Sequence, residues 1–513
     1  MDWRKIEYDA VVIGSGATGG MAAKCLTDGG ANVLVLEAGV DLPPERRGET
    51  DKSRAEFKAF KERQPIQSRS LLYNRKNCHL FIDDLDYPYA TDDSTTFNWI
   101  RSRQAGGRIP VWSRFAYRMS EDDLVGVNDG AGGTPWPISY RDLAPYYDKV
   151  ERLIGVSGTS AGVPSQPNGC IVPRRIPSYV RDLQERLARQ FPQRHLIPAP
   201  QAVKRSVGSC SLRQNNWHAG WVLPQCNPQK LTFRTNCVAV RIELDRPNHA
   251  KRVIYIDQET QHWHEVTGRV IVLCASTIES TRLLLESGTR EFPTGLGNSS
   301  GVLGHYLMDH FGGPRMIAVA KIPDAEPFSA ARAFVPRFCN ISRRSEDFSR
   351  GYGIQASFEA DARRNVVLTI GVLGEVLPYA DNYIDIDKST RDASGLAVPR
   401  IHFQYRENER KMARHAEATL REIVDTLGFK PMIEHNAMLA AGTRAHELGG
   451  VRMGTNPSDS VLNGFNQCWD IENLFVTDGS CFPSAGYKGP TLTMMALTAR
   501  ACDRILDLLR AGN

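Results

Sequence analysis

The plainest chemistry in this chain lies in a glycine turn and one carboxylate downstream of it. Gly14-Ser15-Gly16-Ala17-Thr18-Gly19 has the G-x-G-x-x-G spacing, and Glu37 follows 21 positions after Gly16. In such a turn Gly14 permits the sharp bend and Gly16 lets the backbone approach a pyrophosphate. Gly19 then lets a helix lie close on the preceding strand. That helix, read from Met21 to Leu26, offers unpaired N–H groups and a positive dipole end to phosphates. Glu37 falls where an adenosine ribose presents its hydroxyls, and its charge disfavours a 2′-phosphate. NADP is thereby disfavoured, whereas NAD and FAD both stay open. The positioning elements are legible on either side. Asp9 to Ile13 is a short β-branched run suited to a buried parallel strand, and Asn32 to Leu36 is a second that ends at Glu37.

A second constellation fills the stretch from Arg444 to Asp503. It contains His446-Glu447-Leu448-Gly449, then Thr477-Asp478-Gly479-Ser480, then Gly489-Pro490-Thr491 ahead of a helix rich in Ala and Leu. With these three ordered elements the chain resembles the glucose–methanol–choline (GMC) flavoprotein oxidoreductases. The nearest branch is the sugar-oxidising one, with pyranose oxidases and glycoside 3-oxidases or 3-dehydrogenases. The resemblance implies FAD, with Asp478 and Gly479 by its phosphate and ribitol and Pro490-Thr491 opening a helix towards the flavin N1–C2=O edge. Reduced flavin gathers negative charge there, which a helix amino terminus stabilises. Gly106-Gly107 with Trp112 resembles the family's second glycine-rich flavin contact. Val238, in Thr235–Val240, fits the strand whose backbone holds adenine, and Ala275 the loop after the next strand. Asp129-Gly130 through Tyr147 resembles the sugar-oxidising branch. The likeness covers most of residues 7–507 and is thinnest at 45–100, 155–230 and 320–430.

The resemblance makes His446 the base that takes the hydroxyl proton or the residue that orients the alcohol. A neutral imidazole serves that role near pH 7. The expected reaction oxidises a secondary hydroxyl of a sugar or glycoside, at C2 or C3, to a ketone, with hydride passing to flavin N5. Two departures qualify this. Relatives carry His or Asn just before the Pro-x-x-Thr turn, where this chain has Gly489, which has no side chain to bond a substrate. Either Lys488 or Tyr487 reaches in, or water or substrate fills the space, or the usual oxidation is weakened. Lys488 is the sharper candidate, its alternative being a solvated surface lysine. Pyranose oxidases also bond FAD covalently through a histidine before the tryptophan. Val111 stands there, so noncovalent FAD is expected. Rival readings are a non-sugar alcohol, such as a cyclitol or amino-sugar intermediate, and a flavin-retaining protein with lyase or binding function.

Bulk composition agrees with an ordinary globular protein. At 513 residues with 41% hydrophobic and 24% charged residues, the chain exceeds one domain. A net charge of +5 with interspersed signs gives no nucleic-acid groove. No run of about 18 apolar residues suggests a membrane span. The start lacks an apolar signal core, so a cytoplasmic location is expected. Eleven cysteines without a CxxC pair argue against a disulfide framework, and no metal site is expected, His262 and His264 included. His305 and His310 read as packing or flavin-domain residues rather than catalysts, and Asp122-Asp123 as exposed loop charges.

The expected fold is α/β. A Rossmann-like FAD-binding domain is assembled discontinuously from 1–45, 85–155, 200–310 and 440–513. An α+β substrate domain at 311–439 is built on a mostly antiparallel sheet. Segments 46–84 and 156–199 are read as lid, loop or oligomerisation segments, with a homo-oligomer among the readings. The partners implied are an alcohol or glycoside substrate and an electron acceptor, oxygen or another redox partner.

Overall fold

The structure is a computed structural model that describes residues 6–512, except 93–94, 126–132, 170, 204–221 and 342–343. Asp129-Gly130 therefore lies outside the described residues. The strand Glu7–Ile13 pairs in parallel with Val33–Leu36 on one side and with Trp263–Leu273 on the other. Leu231–Arg234 extends the sheet in parallel beyond Val33–Leu36, and Leu474–Val476 joins Trp263–Leu273. His249–Asp257 and Cys237–Arg246 add an antiparallel edge. The run Ala10-Val11-Val12 is fully buried, as a parallel strand covered on both faces requires. The carboxyl ends of the parallel strands meet at one edge, where an open α/β sheet binds ligands.

Two helices pack against each other beside that edge, Ala17–Asp28 and the final Thr491–Arg510. Gly14 takes φ +100°, and a Cβ on Gly19 would sit 1.9 Å from the Gly14 carbonyl oxygen, so helix and strand meet only because both are glycine.

The second sheet is antiparallel. Its order runs Lys430–His435, His310–Lys321, Asn365–Glu375, Tyr352–Ala360, Ala330–Val335 and Ile197–Pro198. Strand alternation gives it two faces. Val366, Leu368, Ile370 and Val372 are buried in one core with Met412, Ala416, Leu420 and Ile423 of the helix Glu407–Leu427. The opposite face carries Gly353, Gln355, Gly371 and Leu373 and roofs the cleft left by the first sheet. The architecture is thus the mixed α/β arrangement the sequence implies. Among the described residues no helix is long and apolar enough to cross a membrane.

Candidate active site

A single cleft of about 480 Å³ runs from the glycine turn to the roof sheet. Gly14, Gly16 and Thr18 line one end with Glu37, Val238 and Ala275. A Cβ on Gly16 would meet no atom closer than 4.0 Å, so its bare backbone faces open space. The helix Ala17–Asp28 has no side-chain cap and leaves its first N–H groups to that space. Glu37 is tied at both oxygens, accepting from the Ser15 N–H (3.0 Å) and hydroxyl (2.6 Å) and from the Gly39 N–H (2.8 Å). Burial pushes its carboxyl upward in pKa against those bonds. Ser15 Oγ also accepts from the Gly106 N–H at 3.0 Å, which joins the two glycine-rich loops. Gly106 thus shapes the wall, while Gly107 and Trp112 line it. Arg103 Nε and Nη2 and Ser102 Oγ are buried on this wall with no hydrogen-bond partner among the described residues. An open glycine cradle, a helix amino terminus and orphaned donors fit a dinucleotide pyrophosphate.

At the other end stand Asp478, Gly479, Pro490 and Thr491. Asp478 is spent on Ser280 Oγ (2.5 Å) and on the Ser480 N–H and hydroxyl, so it fixes its turn. A Cβ on Gly479 would lie 2.5 Å from Thr277 Oγ1, so no side chain fits between. The helix Thr491–Arg510 begins here, again uncapped by a side chain, and aims its positive end into the cleft.

His446 stands between these parts, half-buried in the cleft wall. Its segment is held antiparallel to 306–310 by reciprocal bonds between Met308 and Leu448, at 2.7 and 2.9 Å. Two residues along in that register, His310 lies opposite His446. Asp309 Oδ1 accepts the N–H groups of both histidines, at 2.7 and 3.1 Å. Ala445 takes φ 56°, a strained value for a residue with a Cβ, directly before His446. Arg108 Nη1 clamps this turn, donating to the Ala445 carbonyl (2.8 Å) and to Glu447 (2.7 Å).

The two imidazoles form a directed chain. His310 Nε2 lies 2.9 Å from the Gly486 carbonyl oxygen, which can only accept, so Nε2 carries the hydrogen. Burial holds His310 neutral, its pKa pushed down to about 3, so its Nδ1 is bare. His446 Nδ1 lies 3.1 Å from that nitrogen and must donate to it. His446 is also held neutral, its pKa pushed well down by burial first and then by His310, Arg444 and Arg108. Its Nε2 is therefore a free lone pair. It faces the place where a Cβ on Gly489 would stand, 3.9 Å away. A proton acceptor of fixed tautomer thus looks into space that Gly489 keeps clear.

Lys488 corrects both of its sequence readings. It neither reaches into the cleft nor meets solvent, being 1% exposed. Its ammonium donates to Asp123 Oδ2 (2.8 Å) and to the carbonyls of Arg118 (2.8 Å) and Ser165 (2.7 Å). Asp123, expected as an exposed loop charge, is fully buried as the partner of that ammonium. Tyr487 is buried too, its hydroxyl donating to the Ser165 carbonyl at 2.9 Å. Nothing replaces the missing side chain at Gly489 from these neighbours. Gly19 likewise serves helix–strand contact rather than the cleft surface.

His310, Asp309 and Arg108 are the residues that sequence reasoning missed. Only the pairing of Met308 with Leu448, 140 positions apart, brings His310 to His446. A histidine next to an aspartate in an apolar segment was the available signal. Among the described residues no group of three or more His, Cys, Asp or Glu is arranged to hold a metal.

Comparison with known proteins shows what the chain is similar to. Residues 378–498 match the family model for GMC oxidoreductases. Over those residues the chain is similar to this family. It is 28% identical to a 2-methyl-1,2-propanediol dehydrogenase of Mycolicibacterium austroafricanum, over 97% of this chain and 95% of that protein. It is 25% identical to the fructose dehydrogenase large subunit of Gluconobacter japonicus, over 99% of each. Pyridoxine 4-oxidase from Mesorbium loti has the same fold, with a TM-score of 0.64 at 18% identity, over 97% of this chain and 98% of that one.

Proposed function

We propose that this protein binds FAD noncovalently and oxidises a secondary hydroxyl of a sugar or glycoside, at C2 or C3, to the ketone. The observation that carries the reading is the free Nε2 of His446, fixed in tautomer by His310 and turned into the cleft. Bound FAD supplies the two-electron oxidant that accepts the carbinol hydrogen as hydride. Gly14, Gly16, Thr18 and the first turn of Ala17–Asp28 would hold its pyrophosphate, and Glu37 its ribose. Gly107, Trp112, Asp478, Gly479 and Thr491 would border its flavin half. His446 Nε2 takes the hydroxyl proton as the carbonyl forms, leaving an imidazolium that must release it before the next turnover. Noncovalent attachment is supported by Val111, whose side chain lines the cleft and offers no nucleophile. A sugar substrate is supported by the likeness to fructose dehydrogenase, and a reducing, cytoplasmic location by nine buried, free cysteines among the described residues.

A second reading, oxidation of a small non-sugar alcohol, is favoured by the likeness to 2-methyl-1,2-propanediol dehydrogenase and by the bare Gly489. Anaerobic absorbance titration of the yellow protein with sugars, glycosides and diols separates the two. The proposal expects the oxidised-flavin band to bleach with a sugar or glycoside. Bleaching by diols alone transfers the assignment to the second reading, and bleaching by dithionite alone removes both. Readmitting air tells oxygen from another acceptor. Acid precipitation should release all the flavin into the supernatant.

A further inference from the structure

The roof of the cleft changes character along a diagonal. In the register of the second sheet Leu373 faces Gly353, Gln355 faces Gly371 and Phe334, and Arg332 lies two residues before Phe334. Leu373, Gln355 and Arg332 therefore descend one strand and two residues at a time on one face. Each step is about 7–8 Å, so the line spans roughly 15 Å of roof. Its Leu373 end adjoins the reacting segment, because Arg444 Nη2 donates to the Val372 carbonyl at 2.5 Å. Apolar Leu373 is followed by an amide and then by a guanidinium, all lining the same cleft.

The charge at the far end is uncommitted. Arg332 stands 5.6 Å over the Phe115 ring, and its guanidinium has no carboxylate or carbonyl partner among the described residues. Apart from Arg103 at the glycine-turn end, three other guanidiniums on the cleft are engaged. Arg108 pairs with Glu447, Arg282 with Glu279, and Arg101 with the Tyr87 carbonyl. Arg332 also has like-charged company, since it adds to burial in pushing down the pKa values of both Arg114 and Arg174. Like charges near one another repel until an anion arrives, and of these three Arg332 is the one that lines the cleft.

We propose that Arg332 recognises an anionic group on the substrate, a carboxylate or phosphate carried on the part of the molecule remote from the hydroxyl that His446 deprotonates. This rests on the alcohol-oxidation reading and narrows its substrate class to acidic glycosides or their equivalents. Phe115 gives the same end an apolar surface against which a ring can lie.

Calorimetric binding tests the inference without turnover. Methyl glucoside, methyl glucuronide and methyl glucoside 6-phosphate are titrated into the holoprotein, and into R332Q and R332K. At low ionic strength one or both charged ligands should bind at least ten-fold tighter than the neutral one, and salt should erode that margin. R332Q should bind all three alike, and R332K should keep part of the preference. The tighter of the two charged ligands tells carboxylate from phosphate. Equal binding of charged and neutral ligands, failure of both charged ligands to bind, or a preference that survives in R332Q overturns the proposal. Each variant is first matched to the parent by its flavin spectrum. Failure of these sugars to bleach the flavin would remove the redox reading alone, whereas charge-blind binding would remove this inference alone.

Discussion

On one side of the segment Gly486–Gly489 lie two neutral imidazoles, and on the other a buried ion pair. The Gly486 carbonyl accepts from His310, which orients His446, while Lys488 two residues on is held by Asp123. The histidine chain has no net charge, is open to the cleft at His446 Nε2, and is directional. The lysine cluster is charged, sealed and saturated at its ammonium. Chemistry needs the first arrangement, because a base must keep a lone pair that nothing in the protein consumes. Position needs the second, because a buried ion pair resists the loss of either member. Neighbouring residues in one turn have thus been assigned opposite work by the side of the chain they leave from.

The largest expected effect falls on the open side. His446→Gln should reduce the rate of flavin reduction by about 10²–10⁴-fold, as loss of a general base does, while the protein stays yellow. Stopped-flow absorbance under anaerobic conditions reads this. The sealed side should answer in stability instead. Lys488→Met leaves the Asp123 carboxylate only Arg337, 3.9 Å away, and Ser120 as partners, and should cost about 3–5 kcal/mol in denaturant unfolding. Asp123→Asn added to it should recover part of that loss. If Lys488→Met kept its stability and lost the rate of flavin reduction, the division between the two sides would be wrong.

A smaller effect separates orientation from proton transfer. His310→Asn removes the acceptor that fixes the His446 tautomer, and should slow flavin reduction by about 10- to 100-fold, by analogy with the loss of partners that orient metal-bound imidazoles. The pH profile gives a readout that mere loosening would not move. In the parent, His446 is pushed well below the ordinary histidine range, so the rate should be flat from pH 6.5 upward, with its acid limb below that value. Removing His310 relieves one of the causes, so the limb should shift to higher pH. The same change bears on acid stability. His310 titrates near 3 when folded and near 6.5 when unfolded, so the unfolded chain binds more protons in that window and stability falls as pH drops through it. His310→Asn should flatten that fall. Asp309, raised to about 7 by burial and then by Glu447, works in the opposite sense and loses stability as pH rises towards 7.

How much of this could be read beforehand follows from distance along the chain. The glycine turn and Glu37 were legible because strand, turn, helix and strand are consecutive, and their packing leaves local marks such as Gly14 and Gly19. Two strands of the first sheet and the antiparallel character of the second were expected from apolar runs, whereas the strand orders were not. His446 was legible through its family motif, but its partner was not, since a contact between positions 310 and 446 exists only after two remote segments pair. Lys488 and Asp123 misled for the same reason. Charged residues in polar stretches read as solvated until the fold brings opposite charges together away from water.

The smallest effect should come from Gly489→Asn, which adds the side chain that the family resemblance implies at this position. The new Cβ would lie 3.8 Å from His446 Cε1, an ordinary contact, so stability should change by less than about 1 kcal/mol. Turnover of small substrates should change less than that of bulky ones, as measured by kcat/KM across a size series.

The assignment of His446 Nε2 as the acceptor of the hydroxyl proton stands or falls on anaerobic flavin reduction by parent and His446→Gln protein, followed with one saturating substrate from pH 5 to 9. The parent should reduce quickly with an acid limb below pH 6.5, and the variant should be slower by at least about 100-fold with that limb gone. Equal rates, or an acid limb that persists in the variant, would place the base elsewhere.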